Sequence, residues 1–165
     1  MKLTTKGRYA VTAMLDLALH NHGRAVPLTE IASRQGISLS YLEQIFSQLR
    51  KAKLVQSCRG PGGGYQICKP LNEISAGHII EAINENMDVT RCGGSMNCQD
   101  NLPCLTHDFW IGLNQEISNY LYRATLQDLM EGEFVKTISA RQDQGQSDDD
   151  ARRNPDDGQP VVWVS

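Results

Sequence analysis

Three cysteines and one histidine with metal-binding side chains lie within sixteen residues of one segment of this 165-residue chain. Five residues separate Cys92 from Cys98, five separate Cys98 from Cys104, and two separate Cys104 from His107. Thiolate sulfur and imidazole nitrogen bind soft and borderline metals. Structural zinc sites usually bring cysteines in pairs about two to four residues apart, so the wider spacing here suits a group larger than one small ion. The segment therefore predicts a site for an iron-sulfur cluster or a metal.

The residues between these ligands favour turns over regular helix or strand. We therefore expect residues 91–107 to form a cluster-binding loop that is ordered by what it binds. The turn-favouring residues are Gly93, Gly94, Ser95, Asn97, Asp100, Asn101 and Pro103.

Length and composition predict one compact domain, or a small domain with an attached arm. No run approaches the roughly 18 apolar residues that span a bilayer, and the first ten residues are too polar for a secretory signal. We expect no membrane partner and a cytoplasmic location. The five cysteines are an odd number, which suits a reducing compartment. Cys58 and Cys68 are interpreted as inert, partly buried thiols outside the ligand set.

Charge divides the chain in two. Residues 1–70 hold ten Lys and Arg against three acids, a net charge of +7, whereas residues 71–165 hold six against sixteen, a net charge of −10. A basic N-terminal region favours a polyanionic partner. The acidic remainder would repel phosphates, so we expect one face alone to bind nucleic acid.

Hydrophobic periodicity predicts a helix-turn-helix near the N-terminus. An apolar stripe predicts a helix from residue 4 or 5 to residue 20, a second short helix ends at Gln35, and a tight turn at residues 36–38 precedes a third. The apolar stripe of the third helix leaves its polar residues outward, where a major groove could be read. These outward residues are Ser40, Tyr41, Glu43, Gln44, Ser47, Gln48 and Lys51.

A glycine-rich hairpin after the third helix predicts a wing. Residues 54–58 and 65–68 are predicted strands, and four glycines lie in the turn between them. Their small size lets the backbone approach a sugar-phosphate chain, and Arg59 suits a narrow minor groove. A nucleotide phosphate loop is rejected because Gly64 leads into a strand instead of a helix. Residues 1–70 are therefore predicted to be a winged helix-turn-helix DNA-binding region.

The second half is predicted to be mainly helical. We expect a connecting helix within residues 71–90, a long helix over 105–124, a short helix within 125–140 and a disordered acidic tail over 141–165. The apolar stripe of the long helix either packs on its own domain or pairs with a twin helix. We favour a dimerisation helix, because two-fold operators are read by two-fold proteins. Its apolar residues are Phe109, Trp110, Leu113, Ile117, Tyr120 and Leu121.

The chain resembles the iron-sulfur cluster regulators among the Rrf-type winged-helix repressors over roughly residues 1–140. The resemblance lies in LTTKGRYA at 3–10, GISLSYLEQ at 36–44, RGPGGGY at 59–65 and the Cys/His set. It implies a homodimeric transcription regulator that carries a [2Fe-2S] cluster on Cys92, Cys98, Cys104 and His107. It also implies repression of the operon for cluster assembly, control of other promoters, and the assembly machinery as cluster donor.

The same resemblance implies the DNA contacts. The recognition helix and wing would bind double-stranded operator DNA, and Glu43 would separate two operator types. A carboxylate accepts from a cytosine amino group but repels acceptor edges and phosphates, so it can select against one class of site. The predicted DNA-binding residues are Ser38, Ser40, Tyr41, Glu43, Gln44, Lys51, Arg59 and Gly60.

Two other interpretations stay open. The loop could hold a structural zinc ion in an otherwise similar repressor, and such a protein would be colourless because Zn²⁺ is d¹⁰. The chain could instead be an electron carrier or enzyme. A carrier needs no basic winged helix, and no nucleophile-base pair or nucleotide fingerprint is evident, so we expect no enzymatic activity.

Overall fold

The N-terminal region is a helix-turn-helix in the computed structural model, which describes the backbone of residues 4–153 and the side chains of residues 4–144. Helix α1 spans Thr5–His20, α2 spans Leu28–Gln35 and α3 spans Leu39–Lys51. Gly36 ends α2 in the left-handed conformation, with φ of 63°, which a residue without a Cβ adopts easily. The apolar stripe of α3 is fully buried and comprises Leu42, Ile45, Phe46 and Leu49.

The predicted wing is a two-stranded antiparallel sheet. Strand β1 spans Val55–Cys58 and pairs with β2, which spans Gly64–Ile67. Val26 adds a bridge to β2, since its backbone N–H donates to the Tyr65 carbonyl at 2.9 Å and its carbonyl accepts from the Tyr65 N–H at 2.8 Å. The Tyr65 ring also packs edge-on against Phe46, with centroids 4.9 Å apart. The wing is therefore fixed to the recognition helix.

Three further α-helices and a short 3₁₀ helix, Leu71–Glu73, complete the first of two compact units, residues 1–131. Helix α4 spans Ala76–Ala82, α5 spans His107–Arg123 and α6 spans Leu126–Met130. Ser75 and Thr125 each begin a helix with a capping box, which satisfies otherwise unpaired backbone N–H groups. None of the helices among the described residues is long and apolar enough to cross a membrane.

A buried ion-pair network joins α1 to α2. The Asp16 carboxylate accepts from the Arg34 guanidinium, with an Nη2 distance of 2.7 Å, and from Gln35 Nε2 at 2.6 Å. His20 Nδ1 lies 3.5 Å from the same carboxylate, and Arg34 also contacts Glu30 at 3.3 Å. These contacts fix the first helix of the helix-turn-helix against α1.

The second unit begins at residue 132 and differs from our prediction. The short helix that we expected within residues 125–140 is α6, but the disordered tail that we expected from residue 141 is not observed, since helix α7 spans Glu133–Arg153. This segment contains no proline, the residue that most strongly interrupts a helix. The expected disorder is therefore wrong for residues 141–153, and residues 154–165 lie outside the described residues.

The two remaining cysteines lie in and beside the wing. Cys58 is half-buried in β1 and its thiol donates to Gln66 Oε1 at 3.3 Å, as expected of an inert thiol. Cys68 is exposed, so the expected partial burial is wrong there. It follows the last residue of β2, where the hairpin leaves the core.

Candidate metal centre and nucleic-acid interface

Three of the four predicted ligands converge around the buried His107. Its imidazole Nδ1 lies 3.2 Å from Cys98 Sγ and 3.7 Å from Cys92 Sγ. The ligand atoms of these three residues all lie within 4.8 Å of one another. Cys104 lines the same cavity but is outside this tight group. The arrangement provides two thiols and an imidazole facing a common space, with a third thiol at its edge.

Two tight turns fold the loop around these ligands. Residues 92–95 form one turn, which is closed by a hydrogen bond of 3.0 Å from the Ser95 N–H to the Cys92 carbonyl. Residues 99–102 form the other, with reciprocal backbone hydrogen bonds of 3.1 and 2.8 Å. Positive φ at both central residues is required by a type I′ turn, and Gly, Asn and Asp tolerate it best. The central residues are Gly93 (58°), Gly94 (80°), Asp100 (46°) and Asn101 (60°).

Backbone N–H groups of the loop face the sulfurs of Cys92 and Cys98. The pKa of Cys92 lies below its ordinary value because of the hydrogen bond with the Cys98 side chain, and then because of the backbone N–H groups of Gly94 and Met96. The backbone N–H of Cys104 lowers the pKa of Cys98, but desolvation and the neighbouring thiols outweigh it and raise that pKa overall. Donors aimed at sulfur stabilise a thiolate, the form that binds metal.

Cys104 lies beside the first turn of α5. Its pKa is lowered by the backbone N–H of Thr106 and then by the Thr106 hydroxyl, which lies 3.8 Å from its sulfur. The positive end of the α5 dipole favours a nearby negative charge. Trp110, one turn further along α5, donates its indole N–H to the Thr106 hydroxyl at 3.2 Å. Sequence reasoning assigned no role to Thr106, although its place next to a predicted ligand was a signal.

The four candidate ligands line a cavity of about 540 Å³. A water molecule occupies roughly 30 Å³, so the cavity has room for a group much larger than one ion. One wall is fixed to α5, since Asn114 Oδ1 accepts from the Val89 N–H at 3.0 Å. Three thiols, an imidazole, inward N–H donors and this volume fit an iron-sulfur cluster. The lining residues are Val89, Thr90, Arg91, Cys92, Cys98, Gln99, Cys104, Thr106, His107 and Trp110.

The predicted DNA-binding residues lie on α3 and the wing, and all but one are exposed. Tyr41 is half-buried, because its ring packs edge-on against Tyr9 of α1 with centroids 5.8 Å apart. Ser47 and Gln48, also expected to point outward, are half-buried on the same helix. The exposed residues are Ser38, Ser40, Glu43, Gln44, Lys51, Arg59 and Gly60.

Helix α5 exposes large apolar side chains. Phe109 and Tyr120 are 64% and 63% exposed, and Trp110 and Leu113 are also exposed. Ile117 and Leu121 are half-buried on this helix. Several large apolar side chains exposed along one helix are a feature of protein-protein interfaces.

Comparisons with known proteins agree on a family. The Rrf2 family model, described as an iron-dependent transcriptional regulator, matches residues 3–132. The HTH-type transcriptional regulator IscR of Photobacterium profundum is 56% identical over 144 residues, which cover 87% of this chain and 84% of that protein.

Solved structures are similar too. T. potens IscR is 37% identical, with a TM-score of 0.65, and the match covers 79% of this chain and 87% of that one. CymR, the global cysteine regulator of B. subtilis, is 32% identical with a TM-score of 0.69, covering 78% and 95%.

Proposed function

This chain belongs to the Rrf2 family of DNA-binding transcriptional regulators, and we propose that it senses iron-sulfur cluster supply through the loop of residues 91–107. Its relatives are named transcriptional regulators, not enzymes. The observation that carries the proposal is the convergence of Cys92, Cys98 and His107 in the cavity that Cys104 also lines. This cavity belongs to the same compact unit as the winged helix-turn-helix.

The proposed cofactor is a [2Fe-2S] cluster held by Cys92, Cys98, Cys104 and His107. When bound, it supplies a redox-active group that can be gained or lost as supply changes. The loop sulfurs would bind as thiolates, held in place by the inward N–H groups. His107 replaces a fourth thiolate with a neutral ligand, which removes one negative charge from the site and raises its potential. This suits a sensor better than a permanent clamp.

The proposed DNA contacts divide between base reading and phosphate binding. Helix α3 would lie in the major groove, where short polar and amide side chains can bond to base edges. Lys51 would neutralise a phosphate, whereas Arg59 at the exposed wing would enter the minor groove. Glu43 would weaken binding to one class of operator, because its carboxylate repels acceptor groups on the DNA. The full proposed set is Ser38, Ser40, Tyr41, Glu43, Gln44, Lys51, Arg59 and Gly60.

Contacts at the start of α1 offer a route from the loop to the recognition helix. Lys6 Nζ donates to the Ile83 carbonyl at 2.8 Å, and the Thr4 backbone N–H donates to the Glu85 carboxylate, just before the loop. The next turn of α1 carries Tyr9, which packs on Tyr41 of α3. A shift at the loop would therefore reach α3 through α1. To change occupancy 100-fold, the occupied loop must favour the DNA-competent arrangement by about 2.7 kcal/mol.

The remaining parts of the proposal concern partners. The exposed apolar face of α5, in the region 105–124, would pair with a second copy, giving a homodimer that matches a two-fold operator. The protein would act in the cytoplasm, receive its cluster from the assembly machinery, repress the operon for that machinery and control other promoters. Such feedback needs the sensor to lose its cluster when supply falls.

Operator binding with and without the cluster tests this function. Fluorescence anisotropy under anaerobic conditions would use DNA from the promoter of the chain's own operon, with random duplex as reference. We expect the preference for promoter DNA over random duplex to be at least about 10-fold greater in the loaded protein than in the apoprotein. Cys98→Ala should behave as the apoprotein does. Cys68→Ala removes an exposed thiol outside the loop and should match the unaltered protein. A Cys98→Ala variant indistinguishable from loaded protein on every operator would refute sensing.

A further inference from the structure

Thr106 precedes α5 at the N-cap position, yet its side chain does not cap the helix. A threonine there usually accepts a hydrogen bond from a backbone N–H of the first turn. Here the hydroxyl instead lies between two side chains, 3.2 Å from Trp110 Nε1 and 3.8 Å from Cys104 Sγ. The usual structural reason for threonine at this position is therefore absent, and its hydroxyl contacts a predicted cluster ligand.

Chemistry fixes the direction of both hydrogen bonds when Cys104 is a ligand. The indole N–H can only donate, so the Thr106 oxygen accepts from Trp110. A ligating thiolate has no proton and can only accept. The Thr106 hydroxyl proton is therefore available to donate to Cys104 Sγ. The hydrogen bond from the Trp110 indole keeps the hydroxyl in that orientation.

We propose that Thr106 and Trp110 are positioning residues that together direct one hydrogen bond to the Cys104 thiolate and thereby raise the reduction potential of the bound cluster. This inference rests on the proposed function, because it requires Cys104 to bind iron. A donor at a ligand sulfur stabilises the more negative, reduced state more than the oxidised one. Removing the donor should therefore lower the reduction potential.

Three variants separate the hydroxyl from the shape of the side chain. Thr106→Val keeps the volume and removes the hydrogen bond, whereas Thr106→Ser keeps the hydroxyl. Trp110→Phe removes the indole donor that orients it. Because the hydroxyl does not cap α5, Thr106→Val is expected to fold, which far-UV circular dichroism checks. Ser95→Ala, in the same loop and also exposed, is the control.

Anaerobic redox titration of the loaded, full-length proteins measures the effect, with electron paramagnetic resonance following the reduced form. We expect a more negative midpoint for Thr106→Val, a smaller shift the same way for Trp110→Phe, and unchanged midpoints for Thr106→Ser and Ser95→Ala. Iron-sulfur vibrations in resonance Raman spectra should respond to D₂O less in Thr106→Val than in the unaltered protein.

The outcomes distinguish this inference from the proposed function. One outcome is that the unaltered protein holds iron and sulfide while Thr106→Val shows the same midpoint and the same D₂O response. That result overturns the proposed Thr106 hydrogen bond alone and leaves the proposed function standing. Equal shifts in Thr106→Val and Thr106→Ser also overturn it, since packing would then be the cause. An unaltered protein that takes up no iron and sulfide overturns both.

Discussion

Replacing Asp16 by asparagine should destabilise the first compact unit severely, because this carboxylate is completely buried against a buried cation. The Asp16 side chain is 0% exposed and that of Arg34 is 4% exposed. Both carboxylate oxygens accept hydrogen bonds from Arg34, and Gln35 donates to one of them. Asparagine has one acceptor oxygen and places an NH₂ group among these donors, so the guanidinium loses its buried counter-charge.

The magnitude follows from burial. Removing one partner of a buried ion pair costs about 3–5 kcal/mol. Arg34 keeps Glu30, 3.3 Å away, which offsets part of the loss, so we expect the lower end, about 3 kcal/mol. With a urea m-value of about 2 kcal/mol per molar, the unfolding midpoint should fall by about 1.5 M.

Urea unfolding of the apoprotein, followed by circular dichroism at fixed protomer concentration and pH 6, measures the change. The matched control is Arg24→Ala, which removes a pair with Glu30 whose arginine side chain is 54% exposed. Exposed pairs contribute about 0.2–1 kcal/mol. Equal midpoints for Asp16→Asn and Arg24→Ala would refute the argument that burial determines the energy.

The same network predicts a pH dependence. Desolvation raises the pKa of Asp16, but hydrogen bonds from His20 and Arg34 outweigh it and lower that pKa below 3.8, so this contribution to stability is lost as pH falls through the lowered value. The hydrogen bond to Asp16 raises the pKa of His20 above 6.5, so that contribution is lost as pH rises through the raised value. Stability from the network should be greatest between these two ordinary values. An unchanged pH profile in Asp16→Asn would contradict this.

Three further predictions concern the proposed DNA-binding surface and the packing of the wing. Arg59→Ala should weaken operator binding by about 1–3 kcal/mol, whereas Lys51→Ala should weaken all sequences alike and reduce the slope of log K against log salt by about 1; anisotropy titrations showing equal effects would contradict the assigned roles. Glu43→Ala should broaden sequence preference in a binding selection, and loss of all binding would contradict selection against one operator class. Gly64→Ala would place a Cβ against the Val26 backbone and should destabilise by about 1–3 kcal/mol, whereas an unchanged thermal melt would contradict that close packing.

Periodicity and residue type were sufficient to predict the helix-turn-helix, the wing and an irregular loop that brings Cys92, Cys98 and His107 together. The apolar stripe of α3, the glycine at residue 36 and the glycine-rich hairpin each act over a few neighbouring residues, so their signals are local. Cysteine and histidine are recognisable as ligands by chemistry alone. The dense Gly, Asn and Asp content likewise indicated the turns between them.

Features that depend on distant contacts or on side-chain orientation could not be predicted from the sequence. Asp16 and Arg34 are eighteen residues apart, and nothing in either local pattern shows that they meet in the core. Thr106 and Trp110 have a helical spacing, but only side-chain geometry shows that the hydroxyl is turned toward Cys104. The extent of α7 was missed because its polar, Asp-containing composition was read as disorder, although the segment contains no proline to interrupt a helix.

The most direct test of the account is the iron, zinc and acid-labile sulfide content of protein purified without oxygen, measured beside a Cys92→Ala variant. A [2Fe-2S] cluster predicts about two irons and two sulfides per chain, with both lost in the variant. Zinc without sulfide would contradict cluster sensing, because the loop would then be a structural clamp in a DNA-binding regulator.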